Sequence, residues 1–242
     1  MKVIEGAGTT EDTWLAFLDQ LRLPALLLEP APARVVVLAP HPDDEVLGVG
    51  GLIALLCAAG SHVQVVAVTD GEASHPGGSV APAALAARRI TETSRAVAAL
   101  GLTHPVRHLH LPDGGREQLT APLLAALRLA PGDWLLAPWS GDGDPDHEAV
   151  GRAGELLAGR DGARLLAYPV WAWHWADPST GALPWDRAHK VALPLVVRKQ
   201  KACATASFVS QIEPIGPLPQ DQPVLPAAVL ARFSRPFEVV FG

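Results

Sequence analysis

Residues 35–51 read VVVLAPHPDDEVLGVGG: an apolar run that ends in His41, Asp43, Asp44 and Glu45. Burying such charges is costly unless they are paired or bound to something. His41 and Asp44 are three residues apart, a spacing at which one turn lets both side chains converge on a single ion. A second imidazole, His147, comes much later, in DPDHEAV. Two histidines and one carboxylate make a three-ligand set that leaves a fourth coordination position open, as catalytic zinc requires. Asp43, next to these ligands, can then take a proton from water activated at the ion. The competing reading is electrostatic: Asp43, Asp44 and Glu45 favour a helix N-terminus, and Asp144 or Asp146 caps the helix at His147.

Whichever holds, the chain must bring residues near 41 and 147 to one place. After a short helix behind Thr10, apolar strands alternate with helical periodicity. Strands are expected at 34–39, 63–69, 106–111, 133–138 and 163–170, with helices at about 46–59, 82–100, 119–130 and 146–159. Repeated strand–helix units with apolar strands predict an α/β fold, a Rossmann-like three-layer sandwich with a mainly parallel sheet. Ligands in such sheets sit beyond the carboxyl ends of the strands. There the chain places HPDDE, DGEASHPGG, PDGG and SGDGDPDHE, one after each of the first four strands.

From Trp171 the rhythm fails. We expect a single domain over 1–242, with a wound core at 33–170 and an aromatic, Pro-rich part at 171–242 packing on it. In that part HKVALPL reads as an edge strand and about 195–209 as a last helix. The prolines after Glu213 argue against helix or central strand in the tail. Trp171, Trp173 and Trp175 would share one face of an extended segment, where they stack on a sugar, cover an apolar edge or make a subunit contact. A homo-oligomer is therefore open.

Composition narrows the partner. Apolar residues make up 49% and charged residues 18%, enough for a core and too few charges for a disordered chain. A net charge of -6 without a long charged run argues against nucleic acid or an anionic membrane as the main partner and leaves a small molecule. Cys57 and Cys203 have no disulfide-framework or CxxC spacing, which points to a reducing, cytoplasmic setting. No segment offers a signal-peptide core or a membrane span.

Other polar residues carry weaker signals. His108 and His110 share a strand face but precede the strand end, and with no carboxylate partner expected nearby they read as structural. Asp70, Glu72 and His75 belong to a strand-end loop that either lines a substrate entrance or is an ordinary polar loop. The GVGG at 48–51 follows three carboxylates that would repel phosphate, so its glycines are read as room for helix–sheet packing rather than a nucleotide site.

APHPDDE together with DPDHEAVGRA resembles the LmbE/PIG-L family of zinc-dependent N-acetylglucosaminyl de-N-acetylases. The resemblance implies zinc held by His41, Asp44 and His147, with Asp43 as general base; iron(II) or another divalent ion is also open. RRITE is similar to the family's Arg-x-x-Glu pattern and implies Arg89 as a substrate contact, with Glu92 as its neighbour. LPDGG implies Asp113 at sugar hydroxyls. Asp146 is expected to orient a ligand imidazole or the substrate and is counted with Asp43 as catalytic. Where the family often has histidine this chain has Asp144, expected at the substrate and able to act as an acid only if its surroundings raise its pKa. Phe208 also stands where many members have histidine. The activity implied is removal of acetyl from an N-acetylglucosamine-type conjugate. A divalent-metal phosphoesterase and a non-catalytic sugar-binding protein are the rival readings.

Overall fold

The computed structural model describes residue 6 and residues 8–242. Seven strands form one sheet: β1 Arg34–Ala39, β2 His62–Thr69, β3 Arg107–Leu111, β4 Trp134–Pro138, β5 Arg164–Tyr168, β6 Ala188–Ala192 and β7 Phe237–Phe241. The helices are α1 Glu11–Gln20, α2 Asp44–Ala58, α3 Pro82–Ala99, α4 Thr120–Ala126, α5 Pro145–Asp161, α6 Ala172–Trp175, α7 Leu195–Thr205, α8 Val209–Ile212 and α9 Ala227–Leu230.

The strand order is β3-β2-β1-β4-β5-β7-β6. β1 to β5 run parallel, and β7 is antiparallel to both β5 and β6. Side chains of β1 alternate between two layers. Val35 and Val37 join a core that includes Leu47, Leu52 and Val197, whereas Val36 and Leu38 join another with Leu123, Val150 and Leu157. With helices on both faces, every β1 position past Arg34 is buried, which is why its sequence is continuous valine and leucine rather than alternating. The chain winds outward through β1, β2 and β3, then returns to place β4 on the other side of β1. That reversal opens a crevice at the carboxyl ends of β1 and β4, where ligands bind in wound sheets.

Helix α2 carries residues 44–58 away from this crevice and is broken at Val49, whose φ of −140° and ψ of 20° are not helical. Groups freed by the break find partners from the end of the chain. Glu238 accepts from Gly51 N at 2.7 Å and Leu52 N at 2.8 Å, and Lys201 Nζ donates to Leu47 O at 2.8 Å and to Glu238 at 2.7 Å. Gly48 faces the Tyr168 ring and Gly51 faces Leu193 so closely that a Cβ at either would collide. Gly48 and Gly51 of GVGG serve close packing, as expected, whereas Gly50 makes only ordinary contacts.

Four expectations change. Helix α4 ends at Ala126, with a 3₁₀ turn at Arg116–Leu119 before it, instead of running over 119–130. Arg160 takes the freed carbonyls of Leu124 at 2.9 Å and Leu127 at 2.8 Å, so the helix can stop early without leaving them unpaired. The expected helix over 195–209 breaks after Thr205, where Phe208 turns fully into the core, and α8 restarts with Ser210 held by Glu92. The tail does contribute a short helix, α9, and a central strand: FEVVF follows the last proline, Pro236, and β7 lies between β5 and β6. Residues 171–242 therefore complete the sheet as well as pack on it, with β6 at its edge as expected. Finally, the tryptophan segment is helical, not extended, because the Asp142 carboxylate gathers the amides of residues 170–172. Trp173 enters the core edge-on to Trp14 at 4.9 Å, while Trp171 faces the crevice, so the indoles do not share a face. Among the described residues no helix is long and apolar enough to cross a membrane.

Candidate metal centre and active site

The loop after β1 and the start of α5 after β4 meet across the crevice. His147 Nε2 lies 3.2 Å from His41 Nδ1 and 3.1 Å from Asp44 Oδ2, and His41 Nδ1 lies 3.5 Å from Asp44 Oδ2. Donors bound at about 2.0–2.2 Å around one tetrahedral ion sit at roughly this separation from each other. The set fits zinc in kind as well as in spacing: two imidazole nitrogens and one carboxylate oxygen.

Each imidazole is backed by carboxylates on its far side. His147 Nδ1 lies 2.8 Å from Asp142 Oδ2, and neither side chain is exposed. Asp142 also accepts from Val170 N, Trp171 N and Ala172 N at 2.8–2.9 Å, so one carboxylate fixes both a candidate ligand ring and the loop after β5. His41 Nε2 lies 3.3 Å from Asp113 Oδ1 and 3.4 Å from Asp146 Oδ2. Asp146 further accepts from Gly114 N at 2.8 Å and Arg116 N at 2.7 Å, holding the loop after β3 against the crevice. A partner on the second nitrogen selects the ring tautomer that leaves the first nitrogen free to coordinate.

Electrostatics follow from this packing. Burial disfavours charge on both imidazoles, but His41 is held well above its ordinary pKa by Asp113, Asp146 and Asp44, and His147 by Asp44 and Asp142. Asp44 is lowered despite burial because both imidazoles face it. Asp43 goes the other way: burial and the adjacent Asp44 raise it well above the carboxylate range, against the pull of Arg89. Burial also pushes Glu45 up to about 8. Neighbouring carboxylates with opposed shifts are the pattern by which one site separates an ion-holding group from a proton-carrying one.

Asp43 is not a helix cap. Its side chain makes no capping bond at the start of α2, and its φ of 124° is a conformation that a non-glycine residue adopts only when its surroundings enforce it. Asp144, by contrast, is a cap: it accepts from Asp146 N at 2.8 Å and His147 N at 3.1 Å. It also lines the cavity. Arg89 is 1% exposed, donates to Gly71 O at 2.7 Å, and leaves Nε and Nη2 without partners while lining the cavity. Burial lowers its pKa, opposed by Asp43 and Asp113. Asp113 lines the cavity and accepts from Ala73 N at 2.8 Å; His41 holds it low in spite of burial. Glu72 accepts from Asp113 N at 3.0 Å, so that loop supports the site.

One neighbourhood differs from expectation. His108 and His110 do have a carboxylate partner, since Asp70 from the end of the adjacent β2 lies 3.4 Å and 2.7 Å from them. Sequence reasoning passed over Asp142, one of three alternating aspartates in DGDPD. Its only signal was lying five residues ahead of a ligand histidine.

The cavity over the ligands measures about 300 Å³. Its lining includes the polar residues His41, Asp43, Asp44, Arg89, Asp113 and Asp144 and the apolar residues Leu47, Val170, Trp171, Val224 and Leu225.

Residues 36–158 match the family model described as PIG-L, GlcNAc-PI de-N-acetylase. The chain is 32% identical to the diacetylchitobiose deacetylase of Thermococcus kodakarensis over 58% of its own length and 60% of that protein's. It is 28% identical to the 1D-myo-inositol 2-acetamido-2-deoxy-alpha-D-glucopyranoside deacetylase of Kineococcus radiotolerans, over 84% of its own length and 64% of that protein's. It thus spans less than two thirds of the length of either curated relative. Its fold is similar to the crystal structure of the antimicrobial reagent A40926 pseudoaglycone deacetylase, with a TM-score of 0.60 at 22% identity, covering 87% of this chain and 96% of that one.

Proposed function

The chain belongs to the PIG-L family, and on that premise we propose that it is a zinc-dependent N-deacetylase that hydrolyses the acetamide of an N-acetylglucosamine-type conjugate to acetate and a free amine. The observation that carries this reading is the His41, Asp44 and His147 donor set with the Asp43 carboxylate lining the same cavity.

The residues divide the work. His41, Asp44 and His147 hold the ion, and Asp142 and Asp146 keep the imidazoles in the coordinating tautomer. When bound, a divalent ion supplies Lewis acidity for the amide carbonyl and makes water a better nucleophile at neutral pH. Asp43 accepts the proton of the attacking water as the C–O bond forms. It then returns that proton to nitrogen as the C–N bond breaks, so that one carboxyl serves as base and acid. Arg89, with two unpartnered guanidinium nitrogens beside Asp43, contacts the substrate, and Asp113 and Asp144 meet its hydroxyls. The free thiols of Cys57 and Cys203 support a cytoplasmic setting.

A phosphoesterase is disfavoured by the same lining: among the described residues around the cavity, Arg89 is the only Lys or Arg. The test is to measure metal stoichiometry, then acetate release from N-acetylglucosamine conjugates beside phosphate release from model esters. Acetate release that requires Asp43 is expected. Phosphate release without acetate release, or a metal-loaded protein inactive on every conjugate, would sink the assignment.

A further inference from the structure

The cavity lining is polar in part and apolar in part, and its larger apolar residues come from three places along the chain. Leu47 stands one helical turn after Asp44, and Val170 and Trp171 follow β5. Val224 and Leu225 come from the Pro-rich stretch between α8 and α9. Leu47, Val170 and Leu225 are buried, while Trp171 and Val224 are half-buried.

This wall is firmly built. Leu225 N donates to Gln211 O at 2.9 Å, and the Gln211 amide donates to Pro42 O in the loop that carries His41. Asp221 is fully buried and accepts from Ser79 N at 2.8 Å and Ser79 Oγ at 2.7 Å, clasping the stretch to the loop after β2. On its other flank, Trp171 is held by the Asp142 carboxylate at 2.9 Å. A segment this rich in proline has little conformational entropy to lose, so its anchors hold it in place at low cost.

Charge limits what can lie against the wall. Asp43, Asp44, Asp113 and Asp144 line the cavity, and its one guanidinium, Arg89, is sunk beside Asp43. An aglycone bearing phosphate or carboxylate would meet carboxylates, and among the described residues lining the cavity no Lys or Arg other than Arg89 is there to receive it. Resting on the deacetylase reading, we propose that Trp171, Val224 and Leu225 form an aglycone subsite selecting N-acetylglucosamine conjugates whose aglycone is uncharged and apolar, aryl or alkyl. The sugar sits over the polar residues and the aglycone covers Trp171 and Val224. Each methylene so buried contributes about a fourfold gain in kcat/KM.

The test uses the metal-loaded full chain and reads acetate release from the phenyl and hexyl glycosides of N-acetylglucosamine, free N-acetylglucosamine, N-acetylglucosamine 1-phosphate and N,N'-diacetylchitobiose. The phenyl and hexyl glycosides are expected to exceed the free sugar in kcat/KM by about tenfold or more, with the 1-phosphate the poorest of the five. Val224→Asp should lower the ratio of phenyl glycoside to free sugar at least fivefold, and Val224→Ser should lower it less; a melting curve on each variant establishes that it is folded. Equal rates on all five substrates, preference for the 1-phosphate or the disaccharide, or an unchanged ratio in folded Val224→Asp would overturn the apolar subsite while leaving the deacetylase reading standing. No acetate from any of the five overturns that reading and this inference with it.

Discussion

Asp142 lies 2.8 Å from Nδ1 of His147, with both side chains fully buried. Because the same carboxylate also takes the amides of residues 170–172, it ties the candidate ligand ring to the loop that presents Trp171. Asp142→Ala should weaken zinc binding about 10–100-fold, as loss of an orienting partner does elsewhere. It should also destabilise the metal-free protein by several kcal/mol, at roughly 1–3 kcal/mol for each buried donor left unpaired. Chelator competition reads the first effect and urea unfolding the second. Asp142→Asn keeps an acceptor for the amides, so it should lose zinc affinity more than stability; the opposite order would mean that the residue serves the loop alone.

How far the sequence shows this site depends on whether a residue's role is local. β1 is legible to the residue, since strands buried on both faces read as unbroken valine, and His41 and Asp44 follow it at a spacing that already implies convergence. Asp142 is not legible, because three aspartates alternate in DGDPD and only the fold decides that Asp142 points to the ring, Asp144 to the helix amides and Asp146 to the loop after β3. The strand β7 escapes for a similar reason. Six prolines upstream of it argue for irregular chain, and only pairing with β5 and β6 makes FEVVF a strand. Likewise the partner of His108 and His110 lies on a neighbouring strand end, about forty residues away in sequence.

Asp43 and His41 should separate chemistry from metal binding. Asp43→Asn leaves the three donors intact, so zinc stoichiometry should be preserved while kcat falls about 10²–10⁴-fold, the usual contribution of a positioned proton carrier. His41→Ala removes a donor and should lose the metal itself. Metal analysis beside acetate release distinguishes the two, and an Asp43→Asn protein with zinc bound and near-normal turnover would remove Asp43 from the mechanism.

The clasp at Asp221 should open in acid. Burial favours the neutral carboxyl, but the hydrogen bonds from Ser79 and Leu218 outweigh it and hold the pKa below 3.8. A carboxyl depressed in the fold contributes stability that is complete above the unfolded value and is lost as pH falls through the folded one. Protection of the Ser79 and Leu218 amides from hydrogen exchange, corrected for intrinsic rates, should therefore hold down to about pH 4 and then decline. Asp221→Asn should exchange faster at neutral pH and show no such step.

The ion pair behind the break in α2 sets up a test in which two partners of one contact have unequal effects. Lys201 and Glu238 are almost fully buried, and removing one member of such a pair usually costs about 3–5 kcal/mol because the other charge is stranded. Glu238 without Lys201 is not wholly stranded, since it still accepts from Gly51 N and Leu52 N. Lys201 without Glu238 keeps only the carbonyl of Leu47, and the two amides also lose their acceptor. Glu238→Ala should therefore lower unfolding free energy in urea more than Lys201→Met, by about 1–3 kcal/mol for each of the two unpaired amides. Because the segment they stitch begins at Asp44, both variants should also weaken zinc binding, in the same order. Equal losses of stability would show that the charge pair, rather than the mending of the broken helix, is what Glu238 supplies.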